Sequence, residues 1–446
     1  MKRGLIRFFA AVLFIALALP VGTRADDRQA LEDSLFDNPD AMVQAQPEPD
    51  SSAMPMPEEK TGVGFSGEIT SVIADALGRT QAADTLYTYT VGDVFLDARL
   101  AQGAKVFADL EAMYYAQTQL TQVSLQEFFC DFNFDRAVYF RAGKQVLQWG
   151  RCTLWNPTDL VNIDRPVFIR RIGTREGAYG LKFHVPYGTV FNLYGFVDTA
   201  AAVSAEKTAV ALKAEYLLGN FEMAFSGWAK KGSVPVWGAD FSTRVFGLDL
   251  VGEASVSRGD LKPRLEVNGG ELLLREDPEA WRPRVSANLS RGFRVGDFDD
   301  RLLVAVEAYY NGAGLPADVL SDQTAYPLAA PWVASDESGQ LLPVTSATRK
   351  MALEYYRLRE PNNLSPWYTA VFVTFSRFLL TDMTATGNYL RNLLDQSSVA
   401  SVGLTYSRLN GFSIGALVNA YFGEPEREYT VDGGKLEGQL TFSLVF

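Results

Sequence analysis

The last residues of the chain, KLEGQLTFSLVF, alternate without a break. Leu436, Gly438, Leu440, Phe442, Leu444 and Phe446 share one face, and Lys435, Glu437, Gln439, Thr441 and Ser443 share the other. Successive side chains of a strand point to opposite sides, so this segment is a strand with one apolar and one polar face. The pattern recurs upstream. In VFADLEAMYYA, Val106, Ala108, Leu110, Ala112 and Tyr114 oppose Phe107, Asp109, Glu111, Met113 and Tyr115. In RLLVAVEAYYNG, Leu302, Val304, Val306 and Ala308 oppose Arg301, Glu307 and Asn311.

From Gly64 onward the chain divides into segments of about ten residues, the length a tilted membrane strand needs. Eighteen begin near residues 64, 87, 104, 123, 138, 177, 189, 207, 220, 242, 262, 283, 300, 346, 366, 397, 411 and 435. The segments at 262, 346 and 366 are the least regular, so sixteen strands stays open. Short connections (100–104, 135–137, 185–188, 218–220, 408–411) alternate with long ones (149–176, 230–241, 313–345, 379–396, 423–434). An apolar face suits lipid, while the charged face must meet water or polar groups. A soluble β-sandwich of this length more often splits into domains with mixed loop lengths. The expectation is an all-β, antiparallel up-and-down transmembrane barrel over residues 63–446, with about 18 strands and a water-filled lumen.

The other end reads MKRGLIRFFAAVLFIALALPVGTRA, a charged start, an apolar run and small residues before Ala25. This is the pattern of a cleaved signal peptide over residues 1–25. Its removal takes Lys2, Arg3, Arg7 and Arg24, so the formal charge of −12 falls by four to −16. A chain so acidic is a poor partner for nucleic acid. Beyond the signal no 18-residue apolar run remains for a membrane helix. Residues 26–62 carry ten acids against Arg28 and Lys60 and are rich in Pro and Ser, which predicts a mostly disordered periplasmic tail.

The C-terminal alternation ending on Phe446 resembles the closing strand of bacterial outer-membrane barrels. That resemblance implies an outer-membrane location in a Gram-negative-type envelope. It also implies that the barrel-assembly machinery reads Phe442, Leu444 and Phe446 as an insertion signal.

The fifth segment, from Val138, runs into GKQVLQWGRCTLWNPTDLVN, which has no strand period. Residues 149–176 then form a long loop holding Trp149, Leu154, Trp155, Leu160, Val161, Ile163, Val167, Phe168 and Ile169. So much apolar surface needs a partner, and the inner barrel wall is the nearest one, with the loop folded into the lumen as a constriction. Asn156-Pro157-Thr158-Asp159 reads as a turn, with Pro fixing φ and Asp able to bond local backbone. Gly143, Lys144, Gln145, Trp149, Gly150, Asn156, Pro157 and Asp159 match a G-[KR]-Q-x-x-x-W-G…N-P-x-D signature. The stretch 138–186 thereby resembles large porin-like outer-membrane barrels, including relatives of the alginate-export and phosphate-selective porins. The resemblance implies a channel or exporter with an inserted loop near its narrowest point and names no ligand.

Nine basic residues lie between Arg136 and Lys182, opposed by Asp159, Asp164 and Glu176. Arg141, Gln145, Arg151, Arg165, Arg170, Arg171 and Arg175 are therefore candidates for the constriction, with Asp109 and Glu111 set across the pore. Rings of Arg favour anions. Alternatively the arginines pin the loop by pairing with Asp93, Asp97, Asp109 and Glu111 on the second and third strands. Strict alternation sends Lys144 outward, which calls for either a register-reversing bulge at Gly143 or a snorkelling side chain.

No enzyme pattern is present. His184 is the single histidine and has no nucleophile motif beside it. No metal-ligand cluster and no cofactor motif stands out. Cys130 faces Ala142 across the 135–137 turn, and Cys152 lies ten residues further on. That is roughly 33 Å at ~3.3 Å per residue, so two free thiols are expected. Tyr309-Tyr310, Tyr355-Tyr356 and Trp367-Tyr368 suit interface girdles. The expected function is passive passage of small hydrophilic solutes, with a mild anion bias. A transporter specific for an apolar or saccharide substrate, and an adhesin presenting loops 313–345 and 379–396, are the alternatives. Monomer and homo-oligomer both stay open.

Overall fold

In a computed structural model of the chain, alternation is realised as a closed barrel. The structure describes residues 62–78, 85–100, 103–163, 177–200, 208–268, 271–315, 332–335, 341–342, 361–409, 411–425, 427–430 and 434–446. The expected signal peptide, the acidic tail to Thr61 and the segment predicted at 346 lie outside these residues.

The first strands are β1 (Gly62–Gly78), β2 (Thr85–Arg99), β3 (Lys105–Tyr115), β4 (Leu120–Phe134), β5 (Val138–Gln145) and β6 (Ala178–Tyr187). There follow β7 (Phe191–Asp198), β8 (Ala209–Leu218), β9 (Phe221–Lys230), β10 (Val236–Val245) and β11 (Leu248–Arg258). A hairpin of β12 (Arg264–Asn268) and β13 (Glu271–Arg275) precedes β14 (Trp281–Val295) and β15 (Phe298–Asn311). A second hairpin, β16 (Trp332–Ser335) and β17 (Leu341–Leu342), precedes β18 (Trp367–Phe375), β19 (Met383–Asn392), β20 (Ser398–Leu409), β21 (Phe412–Phe422) and β22 (Gly434–Val445). Without the two hairpins, 18 strands form one sheet in which each pairs antiparallel with its neighbour and β22 pairs with β1. Closure leaves none of these 18 strands with an edge open to a stray partner. Phe446 completes the seam, exchanging backbone hydrogen bonds of 2.9 Å with Gly67.

The expected strand number holds, but two placements need correction. The strands predicted at 242 and 262 are replaced in the barrel by β10 and β11, and 264–275 is a hairpin outside the barrel sheet. The predicted loop 379–396 contains β19, which pairs with both β18 and β20. In β19, MTATGNYLRN, Thr384, Thr386, Asn388 and Asn392 share one face, but the opposite face holds the small Ala385 and Gly387 and the charged Arg391, so its apolar signal is weak. Pairing with two neighbours makes it a strand regardless.

Gly62 and Phe446 lie at one end of the barrel. The connections there are short: 100–104, 135–137, 188–190, 219–220, 246–247, 296–297, 376–382 and 410–411. Phe246 and Gly247 both take positive φ, 55° and 73°, the two-residue turn that matches strand twist. At the other end lie 146–177, 259–280, 312–366 and 423–433.

The two faces separate as the alternation requires. Phe65, Val123, Phe128, Phe225, Trp237, Val402 and Leu440 are exposed on the outside. Tyr310 and Trp367 meet there, tilted, at 4.5 Å between ring centroids, but their neighbours Tyr309 and Tyr368 are buried inside, so only half of these two predicted girdle pairs faces outward; Tyr355-Tyr356 lies outside the described residues. Cys130 pairs with Ala142 as expected, and both cysteines are free. The ladder from Tyr139 to Gln145 against β6 runs without a shift, so no bulge reverses the register. Lys144 stays on the outer face beside Phe128 and Tyr179, and its Nζ donates to the Leu125 carbonyl at 2.5 Å. Gly143, at φ 127°, is where β5 approaches the Phe128 carbonyl too closely for a Cβ.

Candidate functional site: a segment pinned inside the barrel

Eight strands place one inward-facing residue each in a single register row. Glu215 on β8 pairs with Ala224 on β9, then Asp240 on β10, Glu253 on β11 and Ser286 on β14. The row continues through Tyr309 on β15 and Tyr368 on β18 to Asn392 on β19. Residues 146–163 leave β5, enter the lumen and lie along this row.

The entry is apolar. Leu147, Trp149, Leu160 and Val161 pack with Ala178, Phe196, Ala209, Ala211, Trp228 and Val236 on β6 to β10. The predicted turn forms, with Asp159 N donating to Asn156 O at 3.0 Å. The Asp159 carboxylate accepts from Trp149 N at 3.1 Å and from Asn162 Nδ2 at 2.9 Å. Gly150 is required because a Cβ there would meet Asn156 Cβ at 2.3 Å. Gln145 is fully buried and donates to Gly180 O at 3.3 Å and Arg141 O at 3.2 Å, closing the end of β5. Gln145, Trp149, Gly150, Asn156 and Asp159 of the signature thus act together where the chain turns inward.

Arg151 is the electrostatic anchor. Its guanidinium bonds Asp240, Glu222 at 2.7 Å and Glu215 at 2.9 Å. Burial disfavours its charge, but the hydrogen bond and charge of Glu222, together with Asp240, outweigh that and raise its pKa above the ordinary value. Lys213 stands 3.4 Å from Asp240 and donates to Trp149 O at 2.7 Å.

Two buried carboxylates then take the backbone. Glu253, 2% exposed, accepts from the Arg151 amide, from Cys152 N at 2.7 Å, and from Thr158 N at 3.1 Å and Oγ1 at 2.7 Å. Glu307, 0% exposed, accepts from Thr153 N at 2.8 Å, Trp155 N at 2.7 Å and Leu154 N at 3.2 Å, and from Asn288 Nδ2 at 3.0 Å. Consecutive loop amides cannot bond one another in this conformation, and buried N–H groups need acceptors. Each carboxylate supplies several. Between them, burial and the charges of Glu253 and Glu307 push the Cys152 thiol pKa well up. At the tip, Trp155 stacks on Tyr309 at 5.3 Å and 8°, and touches Tyr368 at 5.6 Å.

The expected site residues are therefore divided. Arg151, Trp149, Gly150, Asn156, Pro157 and Asp159 belong to the inserted segment. Arg141 is inward but remote from Arg151's cluster. It pairs with Asp131 at 2.6 and 2.8 Å and lies 3.8 Å over the Phe129 ring. Glu111 accepts from Ser124 at 3.1 Å, and Asp97 pairs with Lys105 at 3.0 Å. Asp109 lies inward on β3 beside Phe95 and Glu127. Arg165, Arg170, Arg171 and Arg175 lie outside the described residues. Loop-to-wall pairing is seen for Arg151, but its acids are on β8 to β10 rather than β2 and β3. Glu215, Glu222, Asp240, Glu253 and Glu307 were not among the predicted site residues. Their signal is a lone acid at an inward position, as in LVGEASV and VAVEAYY.

No protein-family model matches the chain, and no curated protein is similar to it. Solved structures are similar. OccAB3 of Acinetobacter baumannii is 10% identical with a TM-score of 0.52, over 86% of this chain and 99% of that one. OccK2 (OpdF) of Pseudomonas aeruginosa, solved in complex with glucuronate, is 10% identical with a TM-score of 0.51, over 86% and 98%. The outer membrane protein opdK of Pseudomonas aeruginosa is 8% identical with a TM-score of 0.50, over 86% and 98%. The chain shares its fold with these barrels along nearly their whole length.

Proposed function

We propose that this chain is an outer-membrane channel through which small hydrophilic solutes diffuse without chemical change, its lumen narrowed by residues 146–163. One observation carries the reading: a closed barrel, apolar outside and polar inside, holds a segment of its own chain against its inner wall by buried carboxylates. A barrel serving only as an anchor has no need of such a device. The fold shared with the outer membrane protein opdK supports the location. The alginate-export and phosphate-selective likeness rests on the motif alone. The short-turn end would face the periplasm and the long loops the exterior.

Charge selectivity follows from fixed charge near the narrowest point. Arg151 contributes no free positive charge, because Asp240, Glu222 and Glu215 surround it. The anion bias expected from the sequence thus rests on Arg165, Arg170, Arg171 and Arg175, which lie outside the described residues. The test is single-channel conductance of refolded protein in a planar bilayer, with reversal potential under a salt gradient, compared with an R170A/R171A variant. Steady conductance with an anion bias lost in the variant is expected. A folded barrel that passes no current would overturn the open-channel reading in favour of a closed, substrate-specific transporter.

A further inference from the structure

The tip of the inserted segment is held twice, and the second hold comes from different loops. Glu307 takes its backbone. Its side chain is engaged by residues from the long-loop end: Trp155 Nε1 donates to Asn362 O at 2.8 Å, and the ring touches Tyr368. Tyr368 is in turn fixed by its hydroxyl, which accepts from Ser365 N at 2.7 Å and donates to Glu428 Oε2 at 2.8 Å. Glu428 also accepts from Asn392 Nδ2 at 2.7 Å, and its own amide donates to Asp395 Oδ2 at 2.9 Å. Tyr429 closes the circuit, its hydroxyl donating to Asn362 Oδ1 at 3.1 Å. Loops 361–366, 393–397 and 423–430 thus converge on one tryptophan.

We propose that this circuit is a latch that sets how far the tip stands in the lumen, with Asn362, Glu428 and Tyr429 as its positioning residues. The proposal rests on the channel reading above. The two holds are chemically independent. Glu253 and Glu307 bind amides through strands of the barrel wall. The latch engages the Trp155 side chain through loops 361–366 and 423–430, together with Tyr368 on β18 and Asn392 on β19. Drawing 427–430 away from the wall breaks the Tyr368–Glu428 bond and the Tyr429–Asn362 bond together, and loosens the packing around Trp155. The tip is then free to move while the backbone clamp at Glu253 stays in place. A contact made at the long-loop end is thereby transmitted to the width of the pore.

Leu154, packed with Trp155, Tyr368 and Tyr429 at the tip and 1% exposed, is the reporter position. In a Cys130→Ala/Cys152→Ala/Leu154→Cys background, the alkylation rate of the thiol at position 154 by iodoacetamide would be followed in refolded barrels, alongside single-channel recordings. Folding is checked by heat-modifiable gel mobility. Glu428→Ala is expected to speed alkylation about tenfold and to add frequent conductance steps, as a local opening would. Tyr429→Phe should move both in the same direction by less, and Glu428→Gln, which keeps the acceptor, should restore wild-type behaviour. If Glu428→Ala does not fold, Tyr429→Phe carries the test. Unchanged alkylation and unchanged recordings in the folded variants would overturn the latch. Wild-type barrels that pass no current, with alkylation still rising in Glu428→Ala, would sustain the latch and overturn the channel.

Discussion

Arg141 and Arg151 lie ten positions apart in the same basic stretch, and the barrel treats them in opposite ways. Arg141 remains on a regular strand, half-exposed, paired with one acid on the adjacent strand. Arg151 has left the strand and meets three acids from β8, β9 and β10. The first pair is local, and water screens it. The second is buried, so each partner depends on the others to offset the cost of leaving water. Sequence charge therefore says little about role until it is known which wall a residue faces and how much water reaches it.

The largest expected effect tests whether burial or charge matters more. Glu307→Ala leaves three loop amides without an acceptor inside the barrel and should cost on the order of 4 kcal/mol. Urea unfolding in detergent would read this, and conductance should rise as the segment loosens. Arg151→Ala removes the cation from the convergence of Glu215, Glu222 and Asp240, leaving Lys213. A loss of about 3 kcal/mol is expected, with the reversal potential moving toward cations. A variant as stable as wild type would show that those acids are not dependent on Arg151. Gly150→Ala forces Asn156 aside and should cost about 2 kcal/mol through overpacking, visible as a lower urea midpoint.

Cys152 gives a pH-dependent prediction. Its thiol pKa is raised on folding, so the neutral form is favoured in the barrel. Stability from this group is complete below the ordinary thiol value of 9.0 and is lost as pH rises from there toward the folded value. Folded protein should therefore resist alkylation at pH 8, and its urea midpoint should fall above pH 9 in wild type but not in Cys152→Ala. Arg141→Ala should have the smallest effect, below about 1 kcal/mol, with conductance unchanged. A large effect there would erase the contrast with Arg151.

Much of the fold was legible in the chain because alternation is a local signal. Strands such as FSIGALVNAYF and KLEGQLTFSLVF show their inner and outer faces directly. Where the apolar face is small, as in MTATGNYLRN, the strand is fixed because Phe372 and Ser401 pair across Asn388 from either side. The inward turn was legible too, since Trp149, Gly150 and Asn156-Pro157-Thr158-Asp159 are contiguous and act on one another. The glutamates that receive the segment were not. Glu307 was visible as an inward residue of its strand, but nothing near it in sequence marks it as the acceptor of amides 152 positions or more away.

The sequence by itself determined that this chain has an apolar and a polar face, that it closes as many antiparallel strands, and that one long connection must turn inward. Those are consequences of neighbours a few residues apart. Only the tertiary structure decided that Glu215, Asp240, Glu253, Ser286, Tyr309, Tyr368 and Asn392 share one row. Strand register is set by pairing across the whole barrel, and the sum of those registers, rather than any one segment, aligns acceptors and aromatics beneath the inserted chain.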